Sequence, residues 1–309
     1  MEDPTRPTWP FLGTEAPAFA ITPGQLRGTR FRAIFRGVFV DARVPDTVVT
    51  RARAALLLAP EGAVVSHWTA ARLWGGRVPD NDFVHVSFMR RVRWRVRGIK
   101  PHCFTHRLDV LRRHGLPVTS PGQTFCHLAR FLGLVDLVAL GDSLVRKSRI
   151  TTEELVAYAE DWPGQCRAEA LDAARLVRAG VDSSPETALR LLLMLAGLPE
   201  PTVDVRIRRA DGSVRFRIEL AFEEVLVAIE YDGRWHADPE QRVRDAARRD
   251  ELTRSQGWTF VVVTSDELYG DPEELLVRVW DELRAAGMAV PPRPSDAWRA
   301  HFRVQRVAA

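Results

Sequence analysis

Residues Ile218–Leu268 read IELAFEEVLVAIEYDGRWHADPEQRVRDAARRDELTRSQGWTFVVVTSDEL, and the alternation inside this stretch decides the fold of the C-terminal half. In a strand over Val225–Tyr231, Val225, Val227, Ile229 and Tyr231 fall on one side. Leu226, Ala228, Glu230 and then Asp232 fall on the other. The preceding run, Val214–Phe222, predicts a second strand that carries Glu219, with Ile218 and Leu220 facing away from it. Glu223-Glu224 predicts a solvated turn joining the two strands, which lets Glu219 reach the face bearing Glu230. Downstream, the charge-dense Pro239–Gln256 predicts a helix stopped at Gly257, and the apolar Trp258–Thr264 predicts a further strand.

Upstream, Asp182-Ser183-Ser184-Pro185 combines a serine cap with proline in the first turn, predicting a helix over Glu186–Ala196 that Gly197 ends. Val203–Arg208 leads into the hairpin signal Ala210-Asp211-Gly212-Ser213, and Pro272–Ala286 predicts a closing helix. The order helix, three strands, helix, strand, helix predicts an α/β (α+β) domain with a mixed central sheet over residues 182–290, and residues 291–309 are expected as a tail.

Glu230 and Asp232, two apart on one face of a strand, stand roughly 7 Å from each other. Acids crowded in a half-buried sheet repel one another and lose solvation, and a divalent cation removes that cost. With oxygen ligands and no cysteine nearby, the expected ion is Mg²⁺ or Mn²⁺. The competing expectation is a set of solvated strand-end carboxylates paired with nearby arginines. Arg242, Arg244, Arg248 and Arg249 crowd the following helix and are expected either to contact a nucleic-acid backbone or to pair with Asp245, Asp250 and Glu251 on a solvated face.

The N-terminal half begins with residues 1–20, rich in Pro, Thr and Gly and expected as a flexible arm; residues 21–181 are expected as one domain. Thr22–Arg27 predicts a capped short helix, and RFRAIFRGVFV (Arg30–Val40) a strand or wing. Helices are expected over Asp46–Leu58 and over His67–Trp74 capped by Ser66, and then along most of Pro121–Ala179, so this half is expected to be mostly helical with a small β part. In Arg90–Arg97, RRVRWRVR, the residues Val92, Trp94 and Val96 alternate with Arg91, Arg93, Arg95 and Arg97. A strand there has one apolar and one cationic face, suited to phosphate contact or to a charged sheet edge.

Composition narrows the partners. The net charge of +4 suits an anionic ligand, but Lys100 and Lys147 are the only lysines, so nearly all the positive charge is arginine. Three cysteines, widely separated and odd in number, exclude a disulfide framework and a CxxC zinc site. No apolar run is long enough to span a bilayer and Met1–Pro10 has no secretory character, so a cytoplasmic protein is expected.

The segment Ile218–Leu268, with its strand acid, short turn, Glu-x-Asp-Gly strand end, His236, Asp/Arg-rich helix and Gly-Trp strand, resembles the very-short-patch-repair-like endonuclease family, a branch of the PD-(D/E)XK superfamily. That resemblance implies a restriction-endonuclease-like fold and a magnesium-dependent endonuclease acting on DNA, in phage defence or repair. It makes Glu186 the helix acid, Glu219 and Glu230 the metal-holding pair, and Asp232 and His236 supporting residues, with Arg242 and Arg249 candidates for backbone contact. Two positions depart from the family pattern: it has Asp where this chain has Glu219, and the lysine common in the wider superfamily is replaced by Asp232. Both favour the alternative of a non-catalytic DNA-binding regulator that keeps a degenerate nuclease fold. Residues 22–180, through FRGVFV (Phe35–Val40), VVSHWTAARLWG (Val64–Gly75) and LPVTSPGQTFCHLA (Leu116–Ala129), resemble the abortive-infection type IV antitoxin family. This implies a winged-helix-like DNA-binding or regulatory half and a partner protein from a defence or toxin–antitoxin locus.

Overall fold

The computed structural model describes residues 7–233 and 239–302, with side chains for 7–233 and 243–302. Two compact units emerge, Met1–Leu132 with Lys147–Arg175, and Gly133–Arg146 with Leu176–Ala309. Both mix helices with sheet, and no described helix is long and apolar enough to cross a membrane.

In the first unit, β1 (Phe11–Leu12), α1 (Pro23–Arg27), β2 (Phe31–Phe35) and β3 (Val38–Asp41) come first. The strand or wing expected over Arg30–Val40 is a hairpin: Arg36-Gly37 turns the chain, with Gly37 at a φ of +82° that a side chain would oppose. The expected flexible arm is held from Phe11 onward, because β1 pairs with β3 and Phe11 packs edge-on against Phe31 with ring centroids 5.6 Å apart. Two aromatic rings of the hairpin, Phe31 and Phe39, need a cover, and the arm supplies it.

After α2 (Val48–Leu58), short strands alternate with helices: β4 (Val64–Val65), α3 (His67–Trp74), β5 (Val84–Phe88), β6 (Ile99–Cys103), β7 (Val110–Arg113), β8 (Leu116–Thr119) and α4 (Pro121–Leu128). The strands form a five-stranded sheet in the order β6-β5-β4-β8-β7, parallel between β5 and β6 and between β4 and β8. Helices hold more residues than strands in this half, but its β part is larger than the small one expected. Its strands are two to five residues long, too short to set up a readable period.

Arg90–Arg97 joins no ladder, since β6 takes the free edge of β5 starting at Ile99. The alternation survives without the strand: Val92, Trp94 and Val96 lean onto the core of Val84, Val86, Phe88 and Ile99, while Arg91, Arg93, Arg95 and Arg97 are exposed. Period-two patterning reports two chemically different sides, not hydrogen-bonding partners.

The next helix, α5 (Leu134–Arg146), belongs to the second unit, whereas α6 (Thr152–Glu160) and α7 (Arg167–Arg175) return to the first. The boundary expected near residue 181 is thus crossed by an excursion. Its cause is a buried ion pair: Arg190, fully buried, donates to Asp142 at 3.3 Å, and Thr187 donates to the same carboxylate at 2.8 Å.

The rest of the second unit runs α8 (Ser184–Leu195), β9 (Thr202–Arg208), β10 (Val214–Phe222), β11 (Val227–Asp232), α9 (Pro239–Gln256), β12 (Thr259–Thr264), α10 (Ser265–Tyr269) and α11 (Pro272–Ala285). The mixed sheet has the order β12-β11-β10-β9, antiparallel except for β11 with β12, which the crossover through α9 makes parallel. On one face Leu189, Leu192, Leu193, Ile229, Val263 and Val279 form the main core. Burying each such side chain contributes roughly 1.5–3 kcal/mol. Leu252 of α9 and Trp258 cover the other face with Ile218, Ala221 and Ala228. The expected tail differs as well, because Trp298 and Phe302 are buried in the main core.

Candidate functional site

The acids singled out in the sequence are positioned by three elements. Glu186 stands in the first turn of α8, where the Ser183 hydroxyl accepts its N–H at 3.2 Å and its own carboxylate accepts the Asp182 N–H at 2.9 Å. Glu219 lies in β10 and Glu230 in β11, one step beyond the last paired residues of their ladder, Leu220 and Ile229. Where the ladder stops, the Glu219 carboxylate takes over and accepts the Tyr231 N–H at 2.9 Å.

The facing of β10 switches at this point. Leu220 enters the main core, whereas Ile218 enters the opposite one with Leu252, so the two do not share a face as alternation predicts. Across from Glu219, between the pairs Val205–Ile218 and Val203–Leu220, falls Asp204 at a φ of +56°. A left-handed residue inside a strand breaks the pleat and frees Glu219 from either face.

Glu230 is buried, and Arg248 of α9 donates to its Oε2 at 2.7 Å, with Arg249 at 3.6 Å. Arg248 is clamped in turn by a 2.7 Å bond to the Arg217 carbonyl. Glu230 Oε1 is buried and has no hydrogen-bond partner among the described residues. Burial pushes the Glu219 carboxyl up to about 7; negative Glu186 and Glu230 add to this, and the Tyr231 N–H and Arg248 oppose it. Glu186 is raised too, again mainly by burial.

Asp232 closes β11, half-buried and in register with Thr264 of β12. Gly233 follows because a Cβ there would stand 2.6 Å from the Tyr231 ring. His236 lies outside the described residues, as does the side chain of Arg242.

The residues fit a divalent cation in part. An orphaned carboxylate oxygen beside a carboxyl that resists ionisation is what a cation relieves. Against this, Arg248 occupies the other Glu230 oxygen. Glu186, Glu219 and Glu230 do not bring ligand atoms within 4.8 Å of one another; among the described residues only His67, His85 and His102 do so. Sequence reading placed Arg248 on a solvated helix face and missed its role, because eighteen residues dense in both charges give no sign of which arginine turns inward. The histidines were missed for a different reason: they come from three elements with no motif spacing.

No family model matches the chain. Among curated proteins it is similar to an uncharacterized protein of Mycobacterium tuberculosis, found in strain CDC 1551 / Oshkosh and in strain ATCC 25618 / H37Rv, at 29% identity over 183 residues. The match spans 58% of this chain and 66% of each relative, just under two thirds of their length.

Proposed function

We propose that the C-terminal unit is a restriction-endonuclease-like domain that hydrolyses phosphodiester bonds of nucleic acid, with DNA the expected substrate and Mg²⁺ or Mn²⁺ the ion. One observation carries the reading: the buried Glu230, half satisfied, sits beside Glu219, which is held near pH 7 in its own ionisation. The topology of α8, β9–β11, α9 and β12 supports it, matching the order of elements that the very-short-patch-repair-like resemblance implies. When bound, the ion supplies a water of lowered pKa and positive charge for the scissile phosphate. Glu219 and Glu230 are the residues that would hold it, and Glu186 and Asp232 those that would position its water. Arg248, if displaced from Glu230, would be the guanidinium to meet the phosphate. Arg91, Arg93, Arg95 and Arg97, exposed on the N-terminal unit, give that unit a cationic strip for backbone contact.

A second reading is favoured by Arg248 itself. If that arginine permanently replaces the cation, the protein is a DNA-binding, antitoxin-like regulator on a degenerate nuclease fold.

Plasmid and single-stranded DNA or RNA, incubated with purified protein and Mg²⁺ or Mn²⁺, separate the two. Metal-dependent cleavage that Glu230→Gln lowers by at least about 100-fold supports the hydrolase. Salt-sensitive binding without cleavage of any of these substrates, in either ion, supports the regulator and ends the hydrolase reading.

A further inference from the structure

Five of the eight histidines, His67, His85, His102, His106 and His127, gather in the N-terminal unit with their rings in contact. His85 and His102 sit on the parallel pair β5 and β6, where His85 registers with Lys100 and Ser87 with His102, so both side chains leave the same face. His67 opens α3, directly after β4, which pairs with β5. One ring nitrogen from each of these three lies within 4.8 Å of the others.

Their tautomers are legible. Asn81 Oδ1 accepts the Phe83 N–H at 3.0 Å, which identifies it as the amide oxygen; His85 Nε2, 2.9 Å from that same oxygen, must then carry the proton and donate. The bare lone pair of His85 is therefore on Nδ1 and accepts the His102 Nε2–H at 2.9 Å, a shared proton that a metal ion would replace. Two imidazole nitrogens on one tetrahedral zinc ion stand about 3.3 Å apart, given bonds of about 2.0 Å. His67 Nδ1 rests against Ser66 Oγ at 2.9 Å, leaving Nε2 as its remaining ligand atom. Ser66, expected as a helix cap, makes no cap bond and instead accepts from Ser87 at 2.7 Å, so it serves the histidine. Outer hydrogen bonds of this kind orient metal-bound imidazoles. His67 also holds a left-handed backbone, φ +50°, a conformation rarely kept by a non-glycine residue without a reason.

We infer that His67, His85 and His102 form a three-imidazole site for a transition-metal ion of the zinc class, with its fourth position open to the adjoining cleft. Nitrogen ligands alone select zinc, cobalt, nickel or copper over magnesium, and three protein ligands with one open position mark a site that binds or activates a small ligand rather than a purely structural one. His67 and His102 line that cleft, of about 520 Å³, together with His127 and Arg130. His127 Nδ1 is buried without a hydrogen-bond partner among the described residues, and Arg130 supplies positive charge. The ligand class is a water, hydroxide or small anion on the metal.

The test is titration of the chelator-stripped full-length protein with Co²⁺, read by the visible d–d absorption of tetrahedral cobalt. One equivalent is expected to bind, and Zn²⁺ to displace it. His102→Gln is expected to weaken binding by at least about 100-fold. Asn81→Leu, in the loop before β5 and checked for folding by its thermal melt, is expected to weaken it about 10–100-fold while keeping the tetrahedral spectrum. Absence of a tetrahedral spectrum in the wild-type protein, or affinity unchanged in Asn81→Leu, overturns the assignment. Glu230→Gln, in the other unit, leaves the spectrum unchanged if the site is the one described.

Discussion

Arg248 reaches across from α9 to donate to one oxygen of Glu230 at 2.7 Å, while the other oxygen of that buried carboxylate has no hydrogen-bond partner among the described residues. A guanidinium held on one side and an empty-handed oxygen on the other define a pair that a second cation can rearrange. The same contact stabilises the unit without metal, because an unpaired buried carboxylate is costly.

Replacing Arg248 with Ala should therefore destabilise the metal-free protein by about 3 kcal/mol, as removal of one partner from a buried pair does. Millimolar Mg²⁺ should restore part of the loss, since a ligand bound only by the folded state stabilises it. Thermal melts with and without Mg²⁺ read both effects. A Mg²⁺-induced rise in Tm no larger in Arg248→Ala than in wild type removes the idea that arginine and cation share Glu230.

Glu219 gives a pH signature. Its folded value of about 7 lies above its ordinary value of 4.5, so the neutral acid is favoured in the fold. That contribution is complete below pH 4.5 and fades as pH rises through about 7. Denaturation of Glu219→Gln and wild type, without divalent ions, should show the variant gaining on wild type between pH 5 and 8. A constant difference over that range would falsify the raised ionisation. Metal binding requires the carboxylate, so Mg²⁺ affinity and any cleavage should climb over the same window.

Arg190 ties α5 to α8 through Asp142, with neither side chain exposed. Arg190→Met should cost about 3–5 kcal/mol by stranding the Asp142 charge, and adding Asp142→Leu should recover much of that loss. Urea unfolding of the single and double variants measures it. Equal destabilisation in both would mean that packing, not charge, carries the contact.

Exposed arginines 91, 93, 95 and 97 should be dispensable for folding and not for nucleic-acid binding. Substituting all four with Gln should leave Tm within about 2 °C, as surface changes do. The logarithmic salt dependence of binding should flatten by about 0.9 for each phosphate that the variant no longer neutralises. An unchanged salt slope places the nucleic-acid surface elsewhere.

The strand pair β10–β11 and its Glu223-Glu224 turn were legible because polar and apolar residues alternate along both strands and the turn is doubly acidic. Helix Pro239–Gln256 was legible from its bounds, proline at one end and Gly257 at the other. The switch of facing at Glu219 was not, since it originates in Asp204, a residue of another strand whose left-handed backbone no local pattern announces. Nor were the burial of Phe11 and Trp298, because a terminal aromatic finds its place only when a distant core has an open flank.

Local chemistry along the chain determined which segments of the C-terminal unit are strands and helices, and that Glu219 and Glu230 belong to adjacent strands, because alternation, capping and turn residues act over a few positions. Only the folded arrangement decided that Arg248 lies on Glu230, that burial holds Glu219 near neutrality, and that His67, His85 and His102 meet. Those facts depend on desolvation and on contacts between residues far apart in the chain, and neither quantity exists until the backbone has closed around them.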